Sequence, residues 1–415
     1  MPISKILVAN RSEIAIRVFR AANELDIKTV AIWAEEDKLA LHRFKADESY
    51  QVGRGPHLDR DMGPIESYLS IEEVIRVAKL SGADAIHPGY GLLSESPEFV
   101  DACAEAGITF IGPKAETMRR LGNKVAARNL AIEVGVPVVP ATDPLPDDMA
   151  EVERMAEEIG FPVMLKASWG GGGRGMRVIR SKADLAREVT EAKREAKAAF
   201  GKDEVYLEKL VERARHVESQ ILGDTHGNVV HLFERDCSIQ RRNQKVVERA
   251  PAPYLSEEQR KELAEYSLKI GRATNYIGAG TIEYLMDADT GKFYFIEVNP
   301  RIQVEHTVTE TVTGIDIVKA QIHILDGAAI GTEESGVPPQ EEIYLRGHAL
   351  QCRITTEDPE HNFIPDYGRI TAYRGATGFG IRLDGGTAYS GAVITRFYDP
   401  LLEKVTAWAP SPQEA

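Results

Sequence analysis

The chain has 415 residues, of which 43% are hydrophobic and 27% are charged, a composition typical of folded globular proteins. Its length exceeds that of one ordinary domain, so we expect two or three. The formal charge of −14 disfavours an extended nucleic-acid surface, and no apolar run approaches the ~20 residues of a membrane span. The N-terminus lacks a signal-peptide pattern and the three cysteines form no CxxC pair, which together predict the cytoplasm, without disulfides or structural zinc.

The first part of the chain alternates short apolar strands with amphipathic helices. Strand patterns occur at Ile3–Ala9, Thr29–Trp33, Ala83–His87 and Thr109–Ile111, and a helical pattern at Ser12–Glu24 is the first of those between them. This alternation predicts a parallel sheet with helices on both faces, similar to dinucleotide-binding folds. The first turn reads ANRSEIA and lacks GxGxxG, so a nicotinamide cofactor is not predicted.

Two features of this region are candidates for ligand contacts. The motif HPGYG, His87–Gly91, follows a strand end, where open α/β sheets bind ligands, although a plain turn is an equal alternative. A helical pattern covers Ala115–Val134 and carries Lys124, and a lone helical lysine usually faces solvent. Prolines between residues 137 and 146 then indicate a boundary, and a further helix is predicted at Met149–Ile159.

A glycine-rich turn lies between two strand patterns. The strand Phe161–Lys166 leads into GGGGRG, Gly170–Gly175, and Met176–Ile179 is apolar enough to be a return strand. The turn is not a P-loop, because its lysine precedes the glycines and no GK[ST] opens a helix. With Lys166 at its entrance, the pattern predicts a mobile flap whose backbone N–H groups close over phosphates. A passive linker is the alternative.

An acidic hairpin is predicted where Thr281–Met286 and Phe293–Asn299 alternate like strands around the turn DADTGK. Centring the hairpin on this turn places Glu283 opposite Glu297, and like charges opposed at about 5 Å destabilise a sheet unless a cation lies between them. Asn299 adds a third oxygen on the same face. These hard ligands predict magnesium, which usually accompanies nucleotide phosphates, whereas pairing of both glutamates with basic side chains is the alternative.

The segment that follows the hairpin is also polar. Pro300 cannot donate to a sheet, so the second strand should end there. If the chain stays extended beyond it, Arg301, Gln303 and Glu305 point to one side. We therefore expect these side chains to extend the same polar surface.

A basic segment, RDCSIQRRNQK, precedes the hairpin in the chain. It places Arg241, Arg242 and Lys245 within five residues of an otherwise acidic protein, which predicts a compact anion site; a solvated basic loop is the alternative. Farther upstream, His216 and Glu218 alternate with apolar residues, which places His216 on the polar face of a strand.

Short strand patterns return in the last part of the chain. They occur at Gly347–Ile354, Gly368–Arg374, Gly380–Asp384 and Val393–Phe397, and the first carries Arg353. The chain then ends in WAPSPQEA without a predicted closing element. We interpret this end as a truncation.

Five segments carry a resemblance to a known family: VANRSEIAIRVFRA, HPGYGLLSE, KASWGGGGRGM, RDCSIQRRNQK and EVNPRIQVEHTVTE. Over essentially its whole length, the chain resembles the biotin carboxylase component of biotin-dependent carboxylases, which belong to the ATP-grasp superfamily. Within that family, Leu350–Ile370 and the segment FYDPLLEKVTA most resemble pyruvate carboxylases, with acetyl-CoA carboxylases the nearest alternative.

The resemblance implies a multidomain α/β and α+β fold, in which a Rossmann-like N-terminal domain precedes an ATP-grasp fold with a mobile glycine-rich lid. The implied domains are residues 1–114, the Rossmann-like domain; 115–136, a connecting helical segment; 137–204, the lid subdomain; and 205–415, the C-terminal ATP-grasp subdomain with a truncated C-terminal region.

The resemblance also implies a role for each candidate site residue. The ATP phosphates are contacted by Lys124 and Lys166, beneath a flap that includes Gly171, Gly172 and Gly173. Residues implied around adenine are Glu208, Lys209 and Leu285, and those near the ribose and phosphates are His216 and Gln240. The implied magnesium or manganese ligands are Glu283, Glu297 and Asn299. Bicarbonate is implied to contact Lys245, Arg301, Gln303 and the Val304 backbone. Glu305 matches the general base, and Arg353 the arginine that stabilises deprotonated biotin.

One departure from the family concerns Asn243, which stands where many relatives have histidine, so we assign it no catalytic role. The implied reaction is the ATP-dependent carboxylation of biotin by bicarbonate through carboxyphosphate. Biotin would arrive on a separate carrier domain, and the implied partners are that carrier and a carboxyltransferase domain of the same homo-oligomeric enzyme. A different ATP-grasp ligase and a non-catalytic nucleotide-binding regulator are the alternatives, and the polar residues around Glu305 favour the carboxylase.

Overall fold

The computed structural model describes residues 2–167, 176–200, 203–242 and 244–415, without the side chains of residues 199 and 200. The predicted glycine flap, with Gly171, Gly172 and Gly173, lies outside the described residues, as does Asn243. The chain forms two compact units. The first comprises Met1–Val136, His216–Tyr284 and Glu297–Ala415, and the second comprises Pro137–Arg215 and Leu285–Ile296.

The N-terminal part of the first unit contains five parallel strands: β1 (Lys5–Val8), β2 (Lys28–Trp33), β3 (Glu48–Gln51), β4 (Ala85–His87) and β5 (Thr109–Phe110). Its helices are α1 (Ser12–Glu24), α2 (Pro64–Leu69), α3 (Ile71–Ser81), α4 (Pro97–Glu105), α5 (Ala115–Gly122) and α6 (Lys124–Glu133). The strand order is β3-β2-β1-β4-β5. Along β1, Ile6 and Val8 join the apolar core that contains α1, whereas Leu7 joins the one that contains α3. The predicted parallel sheet with two covered faces is confirmed.

The helix predicted over Ala115–Val134 is interrupted at Asn123. This residue has an extended backbone, with ψ of 109°, and its side chain accepts hydrogen bonds from the N–H groups of Val125 and Ala126, both at 3.0 Å. It therefore caps a second helix, and the prediction of one continuous helix is wrong. Lys124 is the first residue of α6, and 82% of its side chain is exposed.

The rest of the first unit contains most of an eight-stranded sheet, and the sheet residues within Leu285–Ile296 belong to the second unit. Its strands are β9 (Ala214–Gly223), β10 (Val229–Arg241), β11 (Gln244–Ala250), β12 (Gly278–Asp287), β13 (Phe293–Asn299), β14 (His348–Thr355), β18 (Ile381–Gly385) and β20 (Leu401–Ala409). Their order is β13-β12-β9-β10-β11-β14-β20-β18, so the predicted acidic hairpin forms one edge. The helices of this part are α9 (Glu257–Ala273), α10 (His306–Thr313) and α11 (Ile317–Leu325). Helix α10 packs across β10, β11, β14 and β20.

Smaller elements complete the first unit. Two short antiparallel pairs are β15 (Glu357–Asp358) with β16 (Ile364–Pro365), and β17 (Gly368–Arg369) with β19 (Val393–Ile394). Short 3-10 helices lie at Glu35–Asp37, Leu41–Phe44, Glu333–Ser335 and Gln340–Glu342. The strands predicted at Gly368–Arg374 and Val393–Phe397 are thus only two residues long.

Strand β20 has nine residues and was not predicted from the sequence. Its buried positions include Glu403, Lys404 and Thr406, so burial along the strand does not follow hydropathy. A half-buried strand is recognised in a sequence by the alternation of apolar and polar residues. Buried polar residues remove that alternation, so this strand could not be recognised.

A β-bulge in the β10–β11 pair decides which side chains share a face. Ile239 faces Val247 and Gln240 faces Lys245, so β11 contains one extra residue between the two pairs. Such a residue reverses the alternation of side chains beyond it. Lys245 and Glu248 therefore lie on one face of the sheet although they are three residues apart.

The second unit contains an antiparallel sheet of three strands in the order β7-β6-β8. Its strands are β6 (Val163–Ala167), β7 (Arg177–Ile179) and β8 (Val205–Lys209), and its helices are α7 (Met149–Ile159) and α8 (Lys182–Phe200). The two strands predicted on either side of the glycine-rich segment are confirmed as antiparallel neighbours. Across both units, no helix of the described residues combines the length and the apolar character needed to cross a membrane.

Candidate active site

One face of the eight-stranded sheet carries a network of buried charged side chains. The strands supply Glu218 from β9, Arg235 from β10, Lys245 and Glu248 from β11, Glu283 from β12 and Arg353 from β14. The turn before helix α10 supplies Glu305, which is 2% exposed. All of these residues belong to the first unit.

Lys245 lies at the centre of the network. Its Nζ donates to Glu218 Oε2 at 2.6 Å, to Glu283 Oε1 at 2.7 Å and to Glu305 Oε1 at 2.7 Å. These three bonds use all the donors of an ammonium group. Burial disfavours the charged form, but Glu218 and then Glu305 outweigh it and hold the pKa of Lys245 well above its usual value.

Glu305 is bound on its other side by Arg353, whose Nη2 donates to Glu305 Oε2 at 3.1 Å. Burial alone would raise its pKa, but Lys245, Arg353 and Arg235 hold the pKa of Glu305 well below the usual value. The side chain is therefore a carboxylate at neutral pH. It is the kind of group that can accept a proton, provided that its cations are shared with another anion.

Arg353 is shared between two carboxylates. Its Nε donates to Glu248 Oε1 at 2.6 Å, and Gln351 donates to the other oxygen of Glu248 at 2.8 Å. Burial and the neighbouring charge of Glu305 raise the pKa of Glu248 to about 7, against the opposing effect of Arg353. A change in the charge of Glu248 therefore alters how firmly Arg353 is held.

Arg235 is a fully buried member of this network. Its guanidinium donates to Glu218 Oε1 at 2.5 Å, to Gln220 Oε1 at 2.8 Å and to Gln303 Oε1 at 2.9 Å. Gln303 also donates to Glu283 Oε1 at 3.1 Å. The arginine thus connects the sheet to the segment that leads to Glu305.

The sequence suggested that this segment stays extended as far as Glu305, but in the structure it does not. The chain turns at Val304 and Glu305, and helix α10 begins at His306. Gln303 and Glu305 still meet the same network, because Lys245 and Arg235 reach them from the sheet. The carbonyl oxygen of the half-buried Val304 accepts a hydrogen bond from Lys404 Nζ at 3.0 Å.

Arg301, the first of the predicted polar residues, makes different contacts. Its guanidinium forms an ion pair with Glu95 and donates to Asn299 Oδ1 at 3.2 Å. Arg301 therefore lies beside the network through Asn299, whose Nδ2 donates to Glu283 Oε1 at 3.0 Å.

The predicted metal ligands Glu283 and Asn299 are thus in contact. Glu283 Oε2 also lies 3.0 Å from His216 Nε2. Burial would raise the pKa of Glu283, but His216 and Lys245 hold it well below the usual value, so its oxygens are ionised. Glu297 precedes Asn299 by two residues on β13 and lies 3.7 Å from Lys124 Nζ. An ionised carboxylate, a second carboxylate and an amide oxygen fit a hard cation such as magnesium.

The basic segment does not form one anion site. Arg241 donates to Glu357 Oε2 at 2.5 Å, and Arg242 donates to Asn362 Oδ1 at 2.5 Å, whereas Lys245 turns toward the buried network. The predicted convergence of the three side chains is wrong, because Arg242 lies in the turn and Arg241 pairs with Gln244, whose side chain points opposite to that of its neighbour Lys245. Gln240, which faces Lys245 across the hairpin, donates to the carbonyl of Cys237 at 2.9 Å.

The second unit holds the remaining candidate residues. Lys166 on β6 forms an ion pair with Glu208 on the neighbouring strand β8. Lys209 Nζ donates to the carbonyl oxygens of Gly160 at 2.7 Å and Phe161 at 3.2 Å. Leu285, on the part of β12 that belongs to this unit, is half-buried.

No role was predicted from the sequence for Arg235, Glu218 or Glu248. Glu218 could have been inferred, because it alternates with His216 on one strand. Glu248 could not, because simple alternation places it on the face opposite to Lys245 and only the bulge brings them together. Arg235 lay within a recognised motif, but its complete burial was not evident from the sequence.

Three family models match the chain. They are the carbamoyl-phosphate synthase L chain, ATP binding domain, at residues 123–332, and the N-terminal and C-terminal biotin carboxylase domains at residues 2–118 and 351–415. Over 407 residues the chain is 52% identical to pyruvate carboxylase from Bacillus subtilis. The aligned region covers 98% of this chain and 35% of that protein.

Solved structures are also similar. Pyruvate carboxylase from Rhizobium etli, with the allosteric activator acetyl coenzyme-A, is 88% identical with a TM-score of 0.90, covering 100% of this chain and 36% of that one. The biotin carboxylase domain dimer of 2-oxoglutarate carboxylase from Hydrogenobacter thermophilus, in complex with MgADP, ADP and bicarbonate, is 46% identical with a TM-score of 0.86, covering 99% and 87%. The chain spans about a third of the length of these pyruvate carboxylases. Matched over its whole length in sequence and in structure, the chain belongs to the biotin carboxylase family of ATP-grasp enzymes, as its motifs had indicated.

Proposed function

We propose that this chain catalyses the ATP-dependent carboxylation of biotin by bicarbonate, the first half-reaction of a biotin-dependent carboxylase. The observation that carries the proposal is the position of Glu305, a buried carboxylate held between Lys245 and Arg353. The same network includes Glu283, an ionised oxygen ligand suited to magnesium. The relative from Hydrogenobacter thermophilus, which was solved with MgADP and bicarbonate, supports the same ligands here.

Bicarbonate would bind where the cations of the network meet Glu305. Lys245, Arg301, Gln303 and the Val304 backbone are our proposed contacts. A bound anion would share the positive charge of Lys245 and Arg353 with Glu305, which raises the proton affinity of that carboxylate. Glu305 could then take the bicarbonate proton, although its pKa is depressed in the network as described.

The deprotonated bicarbonate would attack the γ-phosphorus of ATP, so that an O–P bond forms and ADP leaves. The resulting carboxyphosphate would break down into CO₂ and phosphate. The phosphate would take the ureido proton of biotin, and the biotin anion, with its negative charge stabilised by Arg353, would capture the CO₂. Lys124, Lys166 and the glycine flap would contact the ATP phosphates, His216 and Gln240 would lie near the ribose and phosphates, and Glu208, Lys209 and Leu285 would surround adenine.

Glu283, Glu297 and Asn299 are the residues that would hold magnesium or manganese. When bound, the metal ion neutralises charge on the phosphoryl group in transfer. Lys124 and Lys245 would remain beside these ligands as a second source of positive charge. The proposed domain organisation has four parts, which are residues 1–114, 115–136, 137–204 and 205–415.

The activity of the whole enzyme is a further proposal. Identity of 88% with the pyruvate carboxylase of Rhizobium etli supports pyruvate as the carboxyl acceptor, with oxaloacetate as product. Its partners would be the biotin carrier and carboxyltransferase domains, in a homo-oligomer. The three free cysteines support the cytoplasm as its location. An acyl-CoA carboxylase or a different ATP-grasp ligase is the alternative.

The direct test is the dependence of ADP release on bicarbonate. Purified protein should release ADP from MgATP slowly with bicarbonate, and faster when free biotin is added. An equal rate without bicarbonate would overturn the proposal and favour another ligase. Carboxylated biotin, measured with labelled bicarbonate, should accumulate in proportion to the biotin-stimulated ADP release.

A further inference from the structure

Two neighbouring strands beneath helix α10 hold the turn that carries Glu305. Arg353 on β14 and Lys404 on β20 are direct partners across the antiparallel pair, so both side chains point to one face. Arg353 donates to the Glu305 carboxylate at 3.1 Å, and Lys404 donates to the carbonyl of Val304 at 3.0 Å. Consecutive residues of the turn are therefore bound by adjacent cations of the sheet.

The same two strands also hold the start of the helix. Thr307 bonds to Gln351 on β14 and lies 2.9 Å from Thr406 Oγ1 on β20. Gln351 and Thr406 are again direct partners. Two successive pairs of side chains thus fix the segment from Val304 to Thr307 against the sheet.

Lys404 is fully buried, and a buried ammonium needs compensating partners. Its second partner is Glu13 Oε2 at 3.1 Å, on helix α1, where Glu13 is 3% exposed. Lys404 and Glu13 therefore form an ion pair that is almost completely removed from solvent. The ammonium group is thus held between the Glu13 carboxylate and the Val304 carbonyl.

His306 binds the carbonyl of Gln303, the residue before Val304. Its ring is fully buried, and Nδ1 donates to Gln303 O at 2.7 Å. Because C=O and N–H point in opposite directions across a trans peptide, fixing the carbonyls of Gln303 and Val304 also fixes the N–H directions of Val304 and Glu305. These two N–H groups are therefore oriented by His306 and Lys404.

We propose that Lys404 is a positioning residue for the bicarbonate site. It fixes the peptide between Val304 and Glu305, and with Arg353 it determines where the Glu305 carboxylate and the adjacent N–H groups lie. This inference rests on the proposed function, in which Val304 and Glu305 meet bicarbonate. ATP phosphates are not among the groups that Lys404 positions, so its removal should affect the two substrates differently.

The test is Lys404→Met, which keeps the aliphatic chain and removes the donor. The KM for bicarbonate should rise at least about tenfold, as expected when a positioned group is displaced, while the KM for ATP stays within about twofold. Arg260→Met is the matched control, because Arg260 likewise neutralises a buried carboxylate, Glu234, but does not contact the turn. Arg260→Met should lower the Tm about as much as Lys404→Met does, but it should leave the KM for bicarbonate unchanged.

Equal increases in both KM values, or the same bicarbonate effect in Arg260→Met, would overturn the assignment in favour of a structural role. If Lys404→Met does not fold, Lys404→Gln combined with Glu13→Gln removes both charges and leaves no unpaired ion. That variant should also raise the bicarbonate KM, because the shorter amide does not reach Val304, and an unchanged value would overturn the inference. If the unmodified protein lacks bicarbonate-dependent ADP release, the proposed function fails instead.

Discussion

Replacing Glu305 with glutamine removes a base without leaving a buried cation unpaired. The network around it sets Arg235, Lys245 and Arg353 against Glu218, Glu248, Glu283 and Glu305. After Glu305→Gln, Lys245 keeps two carboxylate partners and Arg353 keeps one. We therefore expect a stability loss of about 1–3 kcal/mol, the cost of a weakened buried hydrogen bond, rather than the larger cost of an uncompensated ion.

The effect on turnover should be larger than the effect on stability. Glutamine keeps the size and a hydrogen-bonding oxygen but cannot accept the bicarbonate proton, so bicarbonate-dependent ADP release should fall roughly 10²- to 10⁴-fold. This corresponds to about 3–5 kcal/mol of transition-state stabilisation. MgATP affinity, measured by calorimetry, should change by less than about threefold, since nucleotide binding is assigned to other residues.

The acid side of the stability profile offers an independent check. A carboxylate whose pKa is depressed in the folded state adds stability above its unfolded pKa and loses it as the pH falls through the folded value. In Glu305→Gln, the free energy of unfolding should therefore decrease less on acidification than it does in the unsubstituted protein. Glu357→Gln, which removes a carboxylate bound to Arg241 outside the network, is the matched control and should keep turnover. Full bicarbonate-dependent activity in Glu305→Gln would refute the reasoning, and so would loss of MgATP binding.

Three further substitutions test other residues of the site. Lys245→Met leaves three carboxylates without their shared ammonium and should cost about 3–5 kcal/mol, so a Tm loss no larger than that of Glu305→Gln would contradict the proposed central role. Glu297→Gln should raise the magnesium concentration needed for half-maximal ADP release at an unchanged bicarbonate KM, and an unaltered magnesium curve would remove Glu297 from the ligand set. The pKa of Glu248 is raised from 4.5 to about 7 in the folded state. Between these pH values the folded state binds more protons than the unfolded state. This group therefore makes the free energy of unfolding fall as the pH rises from about 4.5 to 7. Glu248→Gln should make that fall smaller in chemical denaturation, and an identical pH slope would contradict the raised pKa.

Local periodicity was sufficient to predict most elements of the fold. The parallel sheet followed from apolar runs that alternate with amphipathic helices, because strands covered on both faces must be continuously apolar. The hairpin with Glu283 and Asn299 followed from two alternating runs around a turn, and the two side chains are in contact. The break at Asn123 was missed, since a single capping residue interrupts no hydropathy pattern.

The network itself depended on contacts between distant strands. A bulge in β11 placed Glu248 on the same face as Lys245, and pairing of β14 with β20 placed Lys404 beside Arg353, neither of which follows from the spacing of these residues. Strand β20 was not predicted because several of its buried residues are polar. One of these polar residues, Lys404, is the proposed positioning residue. The sequence alone therefore determined the residue types and many of the elements that carry them, but not strands β11 and β20. The tertiary structure decided which charges meet, because a buried charge is stabilised by partners that only the pairing of distant strands brings within hydrogen-bonding distance.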